Sequence, residues 1–386
     1  MRESIEIKNL GPLKDVRIHE LKPLTILIGE SASGKSTLMK VLVLMRYIYR
    51  MLNIRWYLKN SGIQRSPFKL SIESLLNDDL AGYFKSGNDI YIRYAVVVNN
   101  HEYYIEYANG AMNTVGVQNI PNEDLLFLKE SWVSESRNVI PVWVSKSSLN
   151  KKAELGFYFH ETLSDFEKAT EALHDISLEY VGMNMHVVGQ NGKKKYFVSP
   201  LDDSYSQIEL KYASSGIQTS APLVALVNYF SKIYSFKDAG RRSILDYLYD
   251  QDRLSSYRPD MEISEMKKKI QIHIEEPELS LFPNAQCKMI DDIVRIALME
   301  RNDDREVELM LATHSPYIVN YLNILLNQTK EGRARVSANQ LGVYRIYNGK
   351  IQNLVAITPD GRTIVETGDL TEQMQSIMKE YRSLRQ

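Results

Sequence analysis

Residues 29–37 read GESASGKST, with Gly29, Gly34, Lys35 and Ser36 at the spacing G-x-x-x-x-G-K-[ST]. That spacing suits one chemistry, the cradling of a polyphosphate. The glycines let backbone amides wrap phosphate oxygens, and the N-terminus of the helix that follows adds positive potential. Lys35 would reach the β and γ oxygens, and the Ser36 hydroxyl can hold Mg2+. Glu30, Ser31, Ala32, Ser33 and Thr37 complete the cradle. The motif carries weight only between a strand and a helix, and both are expected here. Leu24–Ile28 is an apolar β-branched run, and Leu38 to Tyr57 reads as helix.

A phosphate loop serves GTPases, kinases, helicases and transport ATPases alike, so distant carboxylates must decide. In IQIHIEEPELSLFP (270–283), the alternating apolar residues of a buried strand lead into Glu275 and Glu276. Glu275 would orient the water shell of Mg2+, and Glu276 would polarise the attacking water as general base. No N-K-x-D element that reads guanine occurs, since NKKA at Asn150 lacks the aspartate, so ATP is expected rather than GTP. Ser214, Ser215, Gly216 and Gln218 open an apolar helix, a second N-terminus with free amides suited to an anion, although read alone this is an ordinary helix cap. His314 follows an apolar strand, where it could contact a γ-phosphate and sense hydrolysis; a lone histidine there is usually structural. The four in this order are much harder to dismiss than any one of them.

These residues need an α/β scaffold, and the pattern supplies one. Short strands with a turn at Gly11-Pro12 precede the phosphate loop. Asn88 to Val117 alternates Tyr, Ile and Val with polar residues around Asn99-Asn100 and Asn109-Gly110, the pattern of an antiparallel meander. Lys151 to Tyr180 reads as an exposed helical arm, followed by a hairpin around Asn191-Gly192. Beyond Gly216 helices and strands alternate: helix, strand at Ile270–Ile274, helix near Gln286–Met299, strand at Glu306–Ala312, helix after Ser315, hairpin at Asn348-Gly349, and an amphipathic terminal helix. The expected division is an ATPase head from 1–56 and 207–386, with a β meander and helical arm inserted at 57–206 that serves partner or trigger recognition.

At 386 residues and 44% hydrophobic the chain can bury a sizeable core, and its net charge of -1 gives no global field for nucleic acid or anionic membrane. One cysteine, Cys287, excludes an internal disulfide framework and fits a reducing cytosol, and no segment reads as a signal peptide or membrane span. The chain is expected to be cytoplasmic.

With the phosphate loop, SSGIQ and the strand before His314, the segment EEPELSLFP carries a resemblance: Glu275, Glu276, Pro277, Glu278, Leu281 and Pro283 fit E-E-P-E-x-x-L-x-P. The sequence resembles an ABC-type ATPase head of the SMC/RecF kind, and most of all the OLD group of stand-alone bacterial ATPases. The resemblance implies a homodimer in which Ser215 and Gly216 of one copy close over ATP held at Gly29–Thr37 of the other. It also implies a role beside a separately encoded effector in antiphage defence, as in the PARIS and Septu systems. The alternative is a DNA repair or chromosome-maintenance ATPase that clamps DNA, for which the basic clusters at Lys193–Lys195 and Lys267–Lys269 are the only candidates. The sequence departs from the ABC pattern in several places. No aromatic residue precedes Tyr47 to stack on adenine, which argues against a transporter subunit, and Phe282-Pro283-Asn284 stands where a second acid is usual. Gln64 and Gln118 are candidates for the glutamine that contacts the metal. No D-x-D follows His314, so any nuclease is expected on another chain.

Overall fold

The computed structural model describes residues 1–63, 76, 78–84, 89–145, 156–190, 193–202, 204, 206–240, 244, 247–250, 256–327, 335–368, 376 and 379–383. The strands are β1 (Arg2–Leu10), β2 (Leu13–Ile18), β3 (Leu24–Ile28), β4 (Tyr91–Val98), β5 (His101–Ala108), β6 (Ala111–Asn113), β7 (Leu126–Val133), β8 (Asp175–Leu178), β9 (Met183–Gln190), β10 (Lys193–Pro200), β11 (Ile208–Glu209), β12 (Lys267–Glu275), β13 (Arg305–Thr313), β14 (Leu341–Tyr347), β15 (Lys350–Asn353), β16 (Val355–Ile357) and β17 (Thr363–Val365). The principal helices are α1 (Lys35–Asn60), α2 (Phe157–Ala172), α3 (Ser215–Asn228), α4 (Pro283–Leu298) and α5 (Pro316–Asn327).

Eleven of the described strands form one sheet in the order β6-β5-β4-β1-β2-β15-β14-β3-β13-β12-β7. Its core, from β14 to β7, is parallel. Its other wing, from β6 to β2, is antiparallel. The difference follows from burial. All five residues of β3 and the last seven of β12 are buried, as strands covered on both faces must be. The β1 strand instead alternates. β8 to β11 form a smaller antiparallel sheet, and β16 pairs with β17.

The long sheet curls around α1. That helix buries residues on every face, which a surface helix does not do. Arg46, near its middle, donates from Nε to Glu3 of β1 at 2.8 Å and from a terminal nitrogen to Glu308 of β13 at 3.3 Å, and lies 2.9 Å from Nε2 of His273 on β12. Gln271 of β12 bonds both Glu3 and Glu308, at 2.7 and 3.0 Å, and Tyr94 of β4 bonds Glu3 at 3.0 Å. Strands far apart in sheet order thus meet across one helix. Two buried carboxylates offset two buried cations, since Lys269 reaches Glu308 at 2.5 Å and Glu3 at 3.5 Å.

Several expectations change. The span 57–206 does not stand apart, because β4 to β7 belong to the central sheet and β7 pairs in parallel with β12. The exposed helical arm is α2, which runs only over Phe157–Ala172 and is packed: Tyr158, Thr162, Leu163, Asp165, Phe166 and Ala169 are buried. Its buried polar residues explain the misreading, for Thr162 caps the end of β7 by bonding Ser134 N and Trp132 O, and Asp165 pairs with Lys129. The α1 helix begins at Lys35 and continues to Asn60, beyond both expected ends. The meander turns and the Asn348-Gly349 turn adopt the expected positive φ angles. β9 and β10 pair as the hairpin required, although Asn191 and Gly192 lie outside the described residues, as do Gln64 and most of the terminal helix. No helix among the described residues is long and apolar enough to cross a membrane.

Candidate functional site

The phosphate loop leaves the carboxyl end of β3 and turns directly into α1. Its two glycines are sterically required. A Cβ on Gly34, whose φ is 104°, would come 2.6 Å from Leu13, and one on Gly29 would come 2.5 Å from the Ile346 carbonyl oxygen. Ala32 also takes a left-handed φ of 61°. The Ser33 hydroxyl is buried without a partner. Lys35 folds back on this loop, donating from Nζ to the carbonyls of Gly29 at 2.7 Å and Glu30 at 2.9 Å. Burial pulls its ammonium down to about 8, against the pull of Glu276 and Glu278. The orphaned Ser33 hydroxyl and the buried Lys35 ammonium fit a triphosphate.

β12 and β13 run parallel beside β3 and deliver their C-terminal ends to the same edge. Glu275 closes β12; burial and the adjacent Glu135 carboxyl push it up to about 8, while Ser36 hydrogen-bonds it. Its hydrogen bond to Glu275 holds Glu135 below its ordinary range. Ser36 and the two carboxylates are hard oxygen donors of the kind Mg2+ takes. No three acidic, histidine or cysteine side chains gather to hold a metal among the described residues.

Glu276 follows with a left-handed φ of 42°, an uncommon backbone for a non-glycine residue and a form of stored strain found at functional sites. Its N–H is held by the Ala312 carbonyl at 2.8 Å. Its carboxylate faces His314, with Oε1 3.6 Å from Nε2. The other ring nitrogen of His314 lies 3.4 Å from Lys35 Nζ, so acid, histidine and lysine line one wall. Glu278, which the sequence supplied only as part of a pattern, fixes the histidine by accepting from the His314 amide at 2.6 Å and the Thr313 hydroxyl at 2.8 Å.

Ser214, Ser215 and Gly216 open α3, and no side chain caps its first amides. Ser214 and Ser215 are exposed. Within the chain no hydrogen bond joins these residues to loop 29–37 among the described residues. They lie instead on the loop after Glu276: a Cβ on Gly216 would come 2.8 Å from the Ser280 carbonyl oxygen. Gln218, expected to bind nucleotide, spends its amide on the carbonyls of Lys211 and Ala213, at 2.9 and 2.8 Å, and so braces the approach to the helix. Phe282 caps α4 with 79% of its surface exposed where a second acid is usual.

Gln118 is excluded from the metal site by position. The neighbouring Val117 carbonyl accepts from the Trp56 indole at 2.9 Å, near the far end of α1, roughly 30 Å of helix from the phosphate loop. Glu135, two residues beyond β7, stands beside Glu275 instead. Sequence reasoning missed it, and also Arg137, which is fully buried and donates to four backbone carbonyls: Ser134 at 3.0 Å, Thr219 at 2.9 Å, Glu275 at 2.7 Å and Glu276 at 2.6 Å. Burial lowers its guanidinium to about 10, against the four nearby carboxylates of Glu278, Glu276, Glu135 and Glu275. The only signal for either was the parallel partner that β12 requires on its far side.

Comparison with known proteins gives one family: residues 143–319 match the AAA ATPase domain. The matched span contains Ser214–Gln218, Glu275–Glu278 and His314 but not the phosphate loop. No curated protein matches the chain. Among similar solved structures, the SMC head domain from Thermotoga maritima has 10% identity and a TM-score of 0.38, over 92% of this chain and 99% of that one. The recombination mediator RecF-ATPrS of the RecFOR pathway has 12% identity and a TM-score of 0.36, over 92% and 98%. RecF-ATP of the same pathway has 13% identity and a TM-score of 0.36, over 92% and 97%. Likeness of that degree says nothing of substrate or partner. The chain has an α/β fold, its residues 143–319 match an ATPase domain, and the loop 29–37, Glu275, Glu276 and His314 lie together at one edge of its sheet.

Proposed function

We propose that this chain is an ABC-type, SMC/RecF-like ATPase of the OLD group that works as an ATP-gated homodimer. The observation that carries the reading is the convergence of Lys35, Glu276 and His314 on one wall, with Ser36 and Glu275 beside it. ATP would lie in loop 29–37 with Lys35 turned from its own carbonyls to the phosphates. Mg2+ would be held by Ser36 and Glu275, with Glu135 adjacent, and would supply charge compensation for phosphate oxygens. Glu276 would take the proton of the attacking water, and His314 would contact the γ-phosphate.

Closure over the nucleotide would come from a second copy. In its support, Ser214 and Ser215 are exposed on a helix start that no side chain caps. Such a dimer is a two-state element biased by phosphate contacts, the form of switch an effector can read. The antiphage role, with a separately encoded effector, rests on the E-E-P-E-x-x-L-x-P resemblance. The DNA-clamping reading finds less support. Lys267 bonds Asn99 at 3.1 Å, Lys268 pairs with Asp304 at 3.4 Å, Lys269 is buried with Glu308, and Lys194 pairs with Glu171 at 3.6 Å.

Glu276→Gln tests the reading. The variant is expected to bind ATP, to lose turnover by at least about a hundredfold, and to sediment as a dimer with ATP and Mg2+ while the wild type returns to monomer as ATP is consumed. A Gln variant that stays monomeric in excess ATP sinks the composite site.

A further inference from the structure

The buried Arg137 serves nothing that the reading above requires, yet it joins the two halves of that reading within one chain. Its guanidinium bridges three elements. Nη1 donates to Ser134, just beyond β7, and to Glu275, at the end of β12; Nη2 donates to Glu276; and Nε donates to Thr219 in the second turn of α3. Four charge-assisted bonds from a planar, rigid donor to carbonyls on separate segments fix those segments in one geometry. The links run through the Arg137 side chain alone, because every acceptor is main chain.

The segments so joined have distinct duties. Glu276 stands at a left-handed φ, its N–H on Ala312 and its carbonyl on Arg137, so both its peptide bonds are pinned. The α3 helix begins four residues before Thr219 with the exposed Ser215. A second contact runs beside the first: Thr219 Oγ1 lies 2.9 Å from the Leu279 carbonyl oxygen and 3.0 Å from those of Ser215 and Gly216, which compete for its one proton. The close approach of Gly216 to the Ser280 carbonyl leaves the first turn of α3 no slack against the same loop. A shift of the α3 N-terminus would therefore reach the backbone of Glu276 through the Arg137 guanidinium.

We propose that Arg137 is a positioning residue that couples the two nucleotide sites of the dimer: it makes the placement of Glu276 over a chain's own ATP depend on whether that chain's α3 N-terminus is seated on the partner's ATP. The proposal rests on the composite-site reading. Arg137 is buried and donates to main-chain carbonyls, and in this proposal it acts through Glu276. Hydrolysis at one site then waits on occupation of the other, and the dimer reads two bound nucleotides as one signal.

The test uses the full chain with Arg137→Lys and Arg137→Met, with wild type and Glu276→Gln as controls. Turnover is measured against ATP concentration, and binding by titration with a fluorescent ADP analogue. Wild type is expected to show a Hill coefficient above one. Arg137→Lys, which keeps the charge but not the fork, is expected to lose roughly ten- to a hundredfold in kcat with binding within about threefold, and its Hill coefficient should fall to about one. Arg137→Met should lose more. Wild-type turnover with Glu276→Gln inactive, but with both Arg137 variants within about twofold of wild type, overturns this inference and leaves the ATPase reading standing. A wild type without turnover, or an active Glu276→Gln, overturns the ATPase reading itself. Four other outcomes also overturn the proposal: a Hill coefficient of one in wild type, a fall in kcat with the Hill coefficient unchanged, parallel loss of binding and kcat, or a Lys variant that does not fold. The last would make Arg137 a fold determinant only. Where only the Met variant fails to fold, the Lys variant decides.

Discussion

Lys35 illustrates how much chemistry a single placement fixes. Its ammonium, drawn into the loop and bonded to two carbonyls, sits near 8 because burial opposes the charged form more than Glu276 and Glu278 favour it. A bound phosphate favours the charged form, so affinity depends on whether Lys35 is protonated before binding. Nucleotide affinity is therefore expected to be flat below about pH 8 and to weaken above it, by up to about tenfold per unit. Titrating a fluorescent nucleotide from neutral to alkaline pH checks this, and Lys35→Ala should bind weakly with no such slope. The lysine, both glycines and the Glu275-Glu276 pair were legible because their spacing is dictated by a local loop or a strand end. Glu135 and Arg137 were not, since each acts through a partner more than 80 residues away, at Glu275 and Thr219, and neither belongs to a spaced pattern.

Elements carry the site because three parallel strands, β3, β13 and β12, end at one edge, and their order depends on how α1 is enclosed. Arg46 is the hub of that enclosure. Burial works against the Glu3 carboxylate, yet Arg46 and Lys269 outweigh it and hold the group at about 2. A carboxyl held below its unfolded value contributes stability that is present above that value, near 4.5, and lost as pH falls toward 2. Glu3→Gln leaves Arg46 and Lys269 undercompensated in the interior and should cost about 3 kcal/mol in chemical denaturation near neutral pH. The wild type should lose stability steeply between about pH 4.5 and 2, and the variant less so in that window. Strand and helix identities in the two terminal parts were readable from periodicity. The packing of α2 was not, because Thr162 and Asp165 look like surface residues until β7 and Lys129 are in place to bond them.

At the scale of the molecule, the nucleotide loop and the exposed start of α3 are parts of one chain that serve different copies of it in the proposed dimer. Ser215→Arg is expected to leave nucleotide binding by the single chain unchanged and to abolish turnover, because its damage falls on the partner's phosphates. Mixing it with Lys35→Ala should restore at most one working site per mixed dimer, read as partial recovery of ATPase activity against the mixing ratio. Full activity of Ser215→Arg alone would remove α3 from the site. The sequence by itself determined the phosphate cradle, the strand that ends in two carboxylates, the strand that ends in a histidine, and the mixed α/β class, since each is written in local spacing and periodicity. Only the tertiary structure decided that residues 57–206 build into the central sheet, that Glu135 stands beside Glu275, that Gln218 braces its own loop, and that Arg137 ties α3 to Glu276. Those four are contacts between segments distant along the chain, and a buried guanidinium or carboxylate finds its partner only when the sheet has brought the carbonyls or acids within about 3 Å.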